Sequence, residues 1–203
     1  MGETVNRPAQ PGDLEEVALR DGTSAYGLVS RLNHWITAGA FLGALGLGLV
    51  MAYGGLAREQ VFALMDWHKL LGVTVLFYGL WRIAWRAVEG FPEPAAQMPR
   101  WQEWMSKAVH LGLLAAIVAM PLSGVLMTVA GGRALGVWGV TLLPSPGEIV
   151  WLDAAASTVH AYAPWVVLGL LAAHIGAALK HHFLDRDATL ARMITTRTIP
   201  APR

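Results

Sequence analysis

Long apolar runs alternate with short polar, proline-bearing segments along this chain, and the runs have the length of membrane helices. A hydrocarbon core of about 30 Å takes roughly 20 residues of helix. Residues 32–53, 108–130 and 154–179 contain no Asp, Glu, Lys or Arg. A further run beginning at Trp67 holds Lys69 near its start and Arg82 near its end. Both side chains can snorkel toward a headgroup layer, so the span survives. The predicted spans are therefore about 32–53, 67–86, 106–130 and 154–180. Backbone groups in lipid must be satisfied within the segment, so four such runs predict an all-α integral membrane protein, an antiparallel four-helix bundle.

The remainder of the chain falls around that domain. Residues 1–28 read as a polar N-terminal tail, 29–184 as the four-helix domain and 185–203 as a basic C-terminal tail. The tail has Pro8, Pro11 and Gly12 and no apolar core behind a basic start, which argues against a cleaved signal peptide. Pro92, Pro94 and Pro99 mark the connection between the second and third spans. The connection 131–153 keeps Trp138, Leu142, Leu143 and Trp151, which makes it either a lid in the membrane interface or an apolar connector. Trp35, Trp67, Trp85, Trp104 and Trp151 stand at predicted helix ends, the headgroup level that amphipathic rings favour.

Composition agrees with the pattern: 55% of residues are hydrophobic and 14% charged, which excludes a chain of soluble domains, and nucleic acid is not an expected partner. The net charge of +1 hides an asymmetry. Of the 15 Lys and Arg, the two tails and the second connection with its flanks carry twelve, leaving Arg58, Lys69 and Arg133 on the other side. The positive-inside rule then places both termini in the cytoplasm, as expected of a multi-pass protein of a bacterial inner membrane.

No cysteine is present, so disulfides, thiolate metal sites, iron–sulfur clusters and covalently attached haem are all excluded. Five of the seven histidines enter apolar spans, where ionisable groups are costly and usually functional. They fall in two layers. His68 and His160 lie toward the outer side; His34, His110 and His174 lie toward the cytoplasmic side. His160 and His174 are two heptads apart, so one helix offers an imidazole to each layer about 21 Å apart. Imidazoles from two facing helices can bind haem iron from both sides. Zinc is a poorer match, because its sites want three or four ligands together. In the outer layer His68 and His160 form the candidate pair. In the inner layer His174 repeats the facing of His160, and His34 and His110 compete for the opposite position. Hydrogen bonding between helices or a proton pathway is the plainer alternative for any one of these residues. His181 and His182, at the end of the last span, read as solvated or headgroup-facing residues.

Arg82 follows His68 by two heptads, so it faces the same way in the cytoplasmic layer, where haem propionates need cations. Lys69 is a weaker candidate for the same task in the outer layer. Gly39, Gly43, Gly46, Gly48, Gly112 and Gly124 permit close approach of a ring or a neighbouring helix, and Pro121 predicts a kink.

The chain resembles the bacterial cytochrome b561 family of four-helix dihaem membrane proteins over about residues 24–197. The resemblance rests on SRLNHW at 30–35, WHKLLG at 67–72, AMPLSG at 119–124 and AAHIGAALKHHFLDRDATLARM at 172–193. It implies two non-covalent haem b layers. His34 and His174 would hold the inner haem and His68 and His160 the outer, as axial ligands of the iron, with His110 standing near a propionate or a quinone. It also implies electron exchange with the quinone pool, ubiquinone being the expected form, and with an undetermined periplasmic donor or acceptor such as a cytochrome or superoxide. The activity is then electron transfer, or quinone oxidoreduction if the chain acts as an enzyme. The rival expectations are a membrane-anchor cytochrome b subunit of a hydrogenase or dehydrogenase, and a proton-coupled transporter or structural membrane protein without haem.

Overall fold

A computed structural model of the protein describes residues 19–22, 25–90, 92 and 98–194. Four long helices form the molecule: α1, Leu28–Tyr53; α2, Arg58–Glu89; α3, Arg100–Ala130; and α4, Val150–Lys180. Each is long and apolar enough to cross a membrane. All four contain the predicted spans and α2 and α3 extend well beyond them, because amphipathic turns such as 58–66 and 100–105 continue the helix outside the hydrocarbon. Helix ends follow local chemistry. The Gln60 side chain accepts the Ala57 N–H at the start of α2 (2.9 Å), and Gly90, at φ +72°, closes its end.

Consecutive helices pack side by side, α1 on α2, α2 on α3 and α3 on α4. α1 and α4 meet through rings, at His34–His174 and Tyr53–Trp165. Pro121 is tolerated inside α3, although it removes a donor for Ile117 O. Gly79 of α2 is pressed against that carbonyl, where an added Cβ would lie 3.2 Å from the oxygen.

One register runs through all four helices. The core at mid-bundle is Phe41, Val75, Ile117 and Val167, one residue per helix, joined by Ala40. Val75 and Val167 are 0% and 2% exposed. Seven residues of helix return to nearly the same face. One heptad from each core residue toward one end stand His34, Arg82, His110 and His174; one heptad toward the other stand Gly48, His68, Gly124 and His160. Apolar burial thus separates two layers that share the same helix faces.

The end bearing His34 and His174 also carries both ends of the described chain and is termed the inner end. Residues 19–22 and 25–27, expected to belong to the polar N-terminal tail, are docked here. Buried Asp21 accepts from Arg86, from Ser30 Oγ (2.9 Å) and from Gly27 N (2.7 Å), and Arg20 pairs with Glu89 (2.7 Å). Trp85 Nε1 donates to Ser30 Oγ (2.9 Å), and Asn33 Nδ2 to Tyr78 O (3.2 Å). A short helix α5, Ala191–Ile194, folds back so that Met193 O accepts from Trp35 Nε1 (2.8 Å) and Ile194 O from Arg31 (3.1 Å).

At the outer end, the connection between α3 and α4 is a two-stranded antiparallel hairpin, β1 Leu135–Val137 and β2 Val140–Leu143. Trp138 and Gly139 both have positive φ, which gives a tight two-residue turn. Strand β1 buries Leu135 and Val137 against the bundle, an element the bundle expectation did not include.

Candidate functional site

The outer layer is assembled from all four helices and is uncharged. His68 of α2 and His160 of α4 face each other with ring centroids 6.0 Å apart. His68 Nδ1 donates to Ala44 O of α1 (2.9 Å). His160 Nδ1 donates to Ser123 Oγ (3.0 Å) and approaches Met120 O (3.2 Å), while the Ser123 hydroxyl itself donates to Met120 O (2.7 Å). A carbonyl can only accept, so both rings carry their proton on Nδ1 and present an unprotonated Nε2, the form that ligates a metal. Two glycines make room. A Cβ at Gly48 would lie 3.2 Å from His68 Cε1, and one at Gly124 would lie 3.1 Å from His160 Cε1.

Directly above this layer the hairpin is fastened to α2. Asp66 Oδ2 accepts the Trp138 N–H (2.9 Å), Lys69 Nζ donates to Gly136 O (3.2 Å), and the Trp67 and Trp138 rings meet edge to face at 4.9 Å. Lys69, a sequence candidate for a haem propionate, is thus engaged by the hairpin and by Asp66 at 3.6 Å.

The inner layer gathers three imidazoles and a guanidinium. The centroids of His34 and His174 are 6.3 Å apart, and those of His110 and His174 are 5.2 Å apart. His110 Nδ1 is taken up by Ser106 O of its own helix (2.7 Å). No described residue hydrogen-bonds a ring nitrogen of His34 or His174. Arg82 lies close enough to His34, His110 and His174 to interact electrostatically with each, and no described residue forms a hydrogen bond or ion pair with it. The structure therefore brings His34, Arg82, His110 and His174 together in one layer and His68 and His160 in the other, and leaves Lys69 at the hairpin above the outer layer. What the sequence reading missed is Ser123 and the Ala44 carbonyl; it named Gly48 and Gly124 among six glycines that permit close approach, and a count of seven residues either side of each helix centre would have singled those two out.

The donor set fits an iron held by two imidazoles. Two metal–nitrogen bonds of about 2 Å and two ring radii of about 1 Å put the centroids roughly 6 Å apart. The separations of 6.0 and 6.3 Å match this, and that of 5.2 Å is short of it. Outside the layers, His181 approaches Asp187 (2.7 Å) and Asp185 (3.0 Å), and Lys180 pairs with Asp185 (2.6 Å), so these groups satisfy one another at the end of α4.

A family model described as prokaryotic cytochrome b561 matches residues 25–196. The chain is 30% identical over 170 residues to cytochrome b561 homolog 2 of Escherichia coli (strain K12), which spans 83% of this chain and 90% of that protein. It is 32% identical over 101 residues to cytochrome b561 homolog 1 of the same organism, covering 49% of this chain and 56% of the relative.

Proposed function

Because the chain belongs to the prokaryotic cytochrome b561 family, and so is a multi-pass membrane b-type cytochrome working in electron transfer, we propose that it holds two haems, one in each layer, and passes electrons across the bilayer between them. The observation that carries this reading is the repetition of an imidazole pair at about 6 Å in both layers, on opposite sides of one apolar core. His68 and His160 hold the outer haem and His34 and His174 the inner. His110, at the shorter distance and tied to its own helix, lines the inner site beside His174. With both axial positions filled by imidazole, b-type haem supplies one-electron transfer and leaves no open position at iron for a substrate.

The protein's own residues do the positioning. Ala44 O, Ser123 and Met120 O fix the tautomer and tilt of the outer rings. Arg82 supplies the cation for the carboxylates of the inner haem, since no described residue forms a hydrogen bond or ion pair with it and it lies close to the three inner rings. Phe41, Val75, Ile117 and Val167 keep the ground between the layers apolar and closed to water. The excess of Lys and Arg in the two tails and the second connection, by the positive-inside rule, puts the inner end in the cytoplasm. Quinone in the membrane and a redox partner on the outer side are then the two terminals, following the family resemblance.

The test is transfer across a sealed bilayer. Proteoliposomes that enclose ferricyanide and receive an external quinol should reduce the enclosed oxidant, and His160→Ala and His174→Ala should each abolish this although each breaks only one layer. Transfer that persisted in either variant would sink the two-layer path.

A further inference from the structure

The bilayer-facing side of α2 and α3 carries a groove of about 510 Å³ that electron transfer does not use. Leu80 and Ile83 of α2 form one wall, and a stripe on α3 from Leu111 to Leu122, with Ala115 and Ala119 as its small members, forms the other. The lining is aliphatic throughout. Leu111 to Leu122 is 11 steps of helix, about 16 Å, or half of a 30 Å hydrocarbon core. With Ile117 at mid-bundle, the groove runs from one residue past His110 of the inner layer, across the middle, to two residues short of Gly124 of the outer layer.

The same face of α3 continues out of the hydrocarbon. Lys107 lies one turn before Leu111, and Trp104 and Arg100 lie one and two turns before Lys107. Trp104 is 74% exposed, at the level where an indole meets headgroups. Lys107 and Arg100 are exposed, and their side chains form no ion pair or hydrogen bond with any described residue. Glu103, one turn from Lys107, is not within ion-pairing distance of it. An aliphatic slot of acyl-chain length with two uncommitted cations beyond its inner end has the chemistry of a phospholipid inverted.

We propose that this groove is a binding site for an anionic phospholipid of the inner-end leaflet, with an acyl chain laid along α2 and α3 and the headgroup held by Lys107 and Arg100. Small residues let the chain approach the backbone closely, and the cations reward a net negative headgroup over a zwitterionic one. A second copy of this protein is a poorer occupant, because two-fold pairing through this face would bring the same cations of both copies together.

The experiment is native mass spectrometry of the protein released from nanodiscs of equal parts phosphatidylglycerol and phosphatidylcholine with identical acyl chains. Phosphatidylglycerol should be retained roughly fivefold or more over phosphatidylcholine. Lys107→Gln combined with Arg100→Gln should bring the ratio near one. Arg186→Gln, which removes a cation at the same end but away from the groove, should leave it unchanged. Ala115→Phe with Ala119→Phe should lower retention of both lipids, with haem absorbance in the same samples confirming that the protein is folded. Equal retention by the unmodified protein would overturn the proposal. So would a preference that survives the double substitution or falls equally with Arg186→Gln, or a dimer that carries neither lipid.

Discussion

The outer and inner layers occupy equivalent positions on the same four helices, yet two glycines in one stand where two histidines stand in the other, and His68 in one stands where Arg82 stands in the other. The outer layer has Gly48, His68, Gly124 and His160; the inner has His34, Arg82, His110 and His174. Outer rings are fixed through Nδ1 by neighbouring helices and packed against glycine, so their placement is steric and hydrogen-bonded. The inner pair lacks those bonds and is surrounded instead by Arg82, a third imidazole and the clamp of Asp21, Ser30, Trp85 and Arg86. One register can therefore hold two similar cofactors while giving each a different electrostatic setting.

The largest effects come from removing a ligand. His160→Ala should lose the outer haem alone and His174→Ala the inner alone, halving the haem content in each case, whereas His110→Ala should keep both. Haem quantification decides it, and loss of a haem in the His110 variant would exchange the inner ligands. Next come the glycines. Gly48→Ala or Gly124→Ala forces a methyl to about 3 Å from a ligand ring and should cost about 1–3 kcal/mol or displace the outer haem. Gly46→Ala, with nothing within 4 Å, should stabilise helix α1 by up to about 1 kcal/mol. Thermal denaturation of the three variants separates these outcomes.

Arg82→Met should act on the inner layer only. A cation favours the reduced iron, which carries one positive charge fewer, so its loss should lower the inner midpoint potential by roughly tens of millivolts and leave the outer one in place. A shift confined to the outer transition would refute the assignment of Arg82. The smallest change belongs to Ser123→Ala. His160 keeps Met120 O as a partner, so outer haem affinity should fall about tenfold, measured by haem transfer to apomyoglobin, with no change at the inner layer.

Much of this was legible in the sequence because the bilayer imposes a simple grammar. Three charge-free runs of about 20 residues and a fourth whose Lys69 and Arg82 lie near its ends predicted the four helices, and the spacing of 14 residues between His160 and His174, and between His68 and Arg82, predicted the layers. The hairpin was less accessible, since Leu135–Leu143 is short and apolar on both faces of β2 and its turn depends on positive φ at Trp138, a residue seldom found there. The docking of residues 19–22 was hidden too. It depends on two long-range ion pairs, Asp21 with Arg86 and Arg20 with Glu89, 65 and 69 residues apart, which no local pattern announces. Lys69 looked like a propionate partner from its depth, but its partner Gly136 comes from the unrecognised hairpin.

The central claim is that both layers hold haem. A potentiometric titration of the purified protein, followed in the reduced-minus-oxidised spectrum and calibrated against total haem per chain, tests it most directly. Two haems per chain with two resolvable one-electron transitions are predicted; one haem per chain with a single transition would contradict the account.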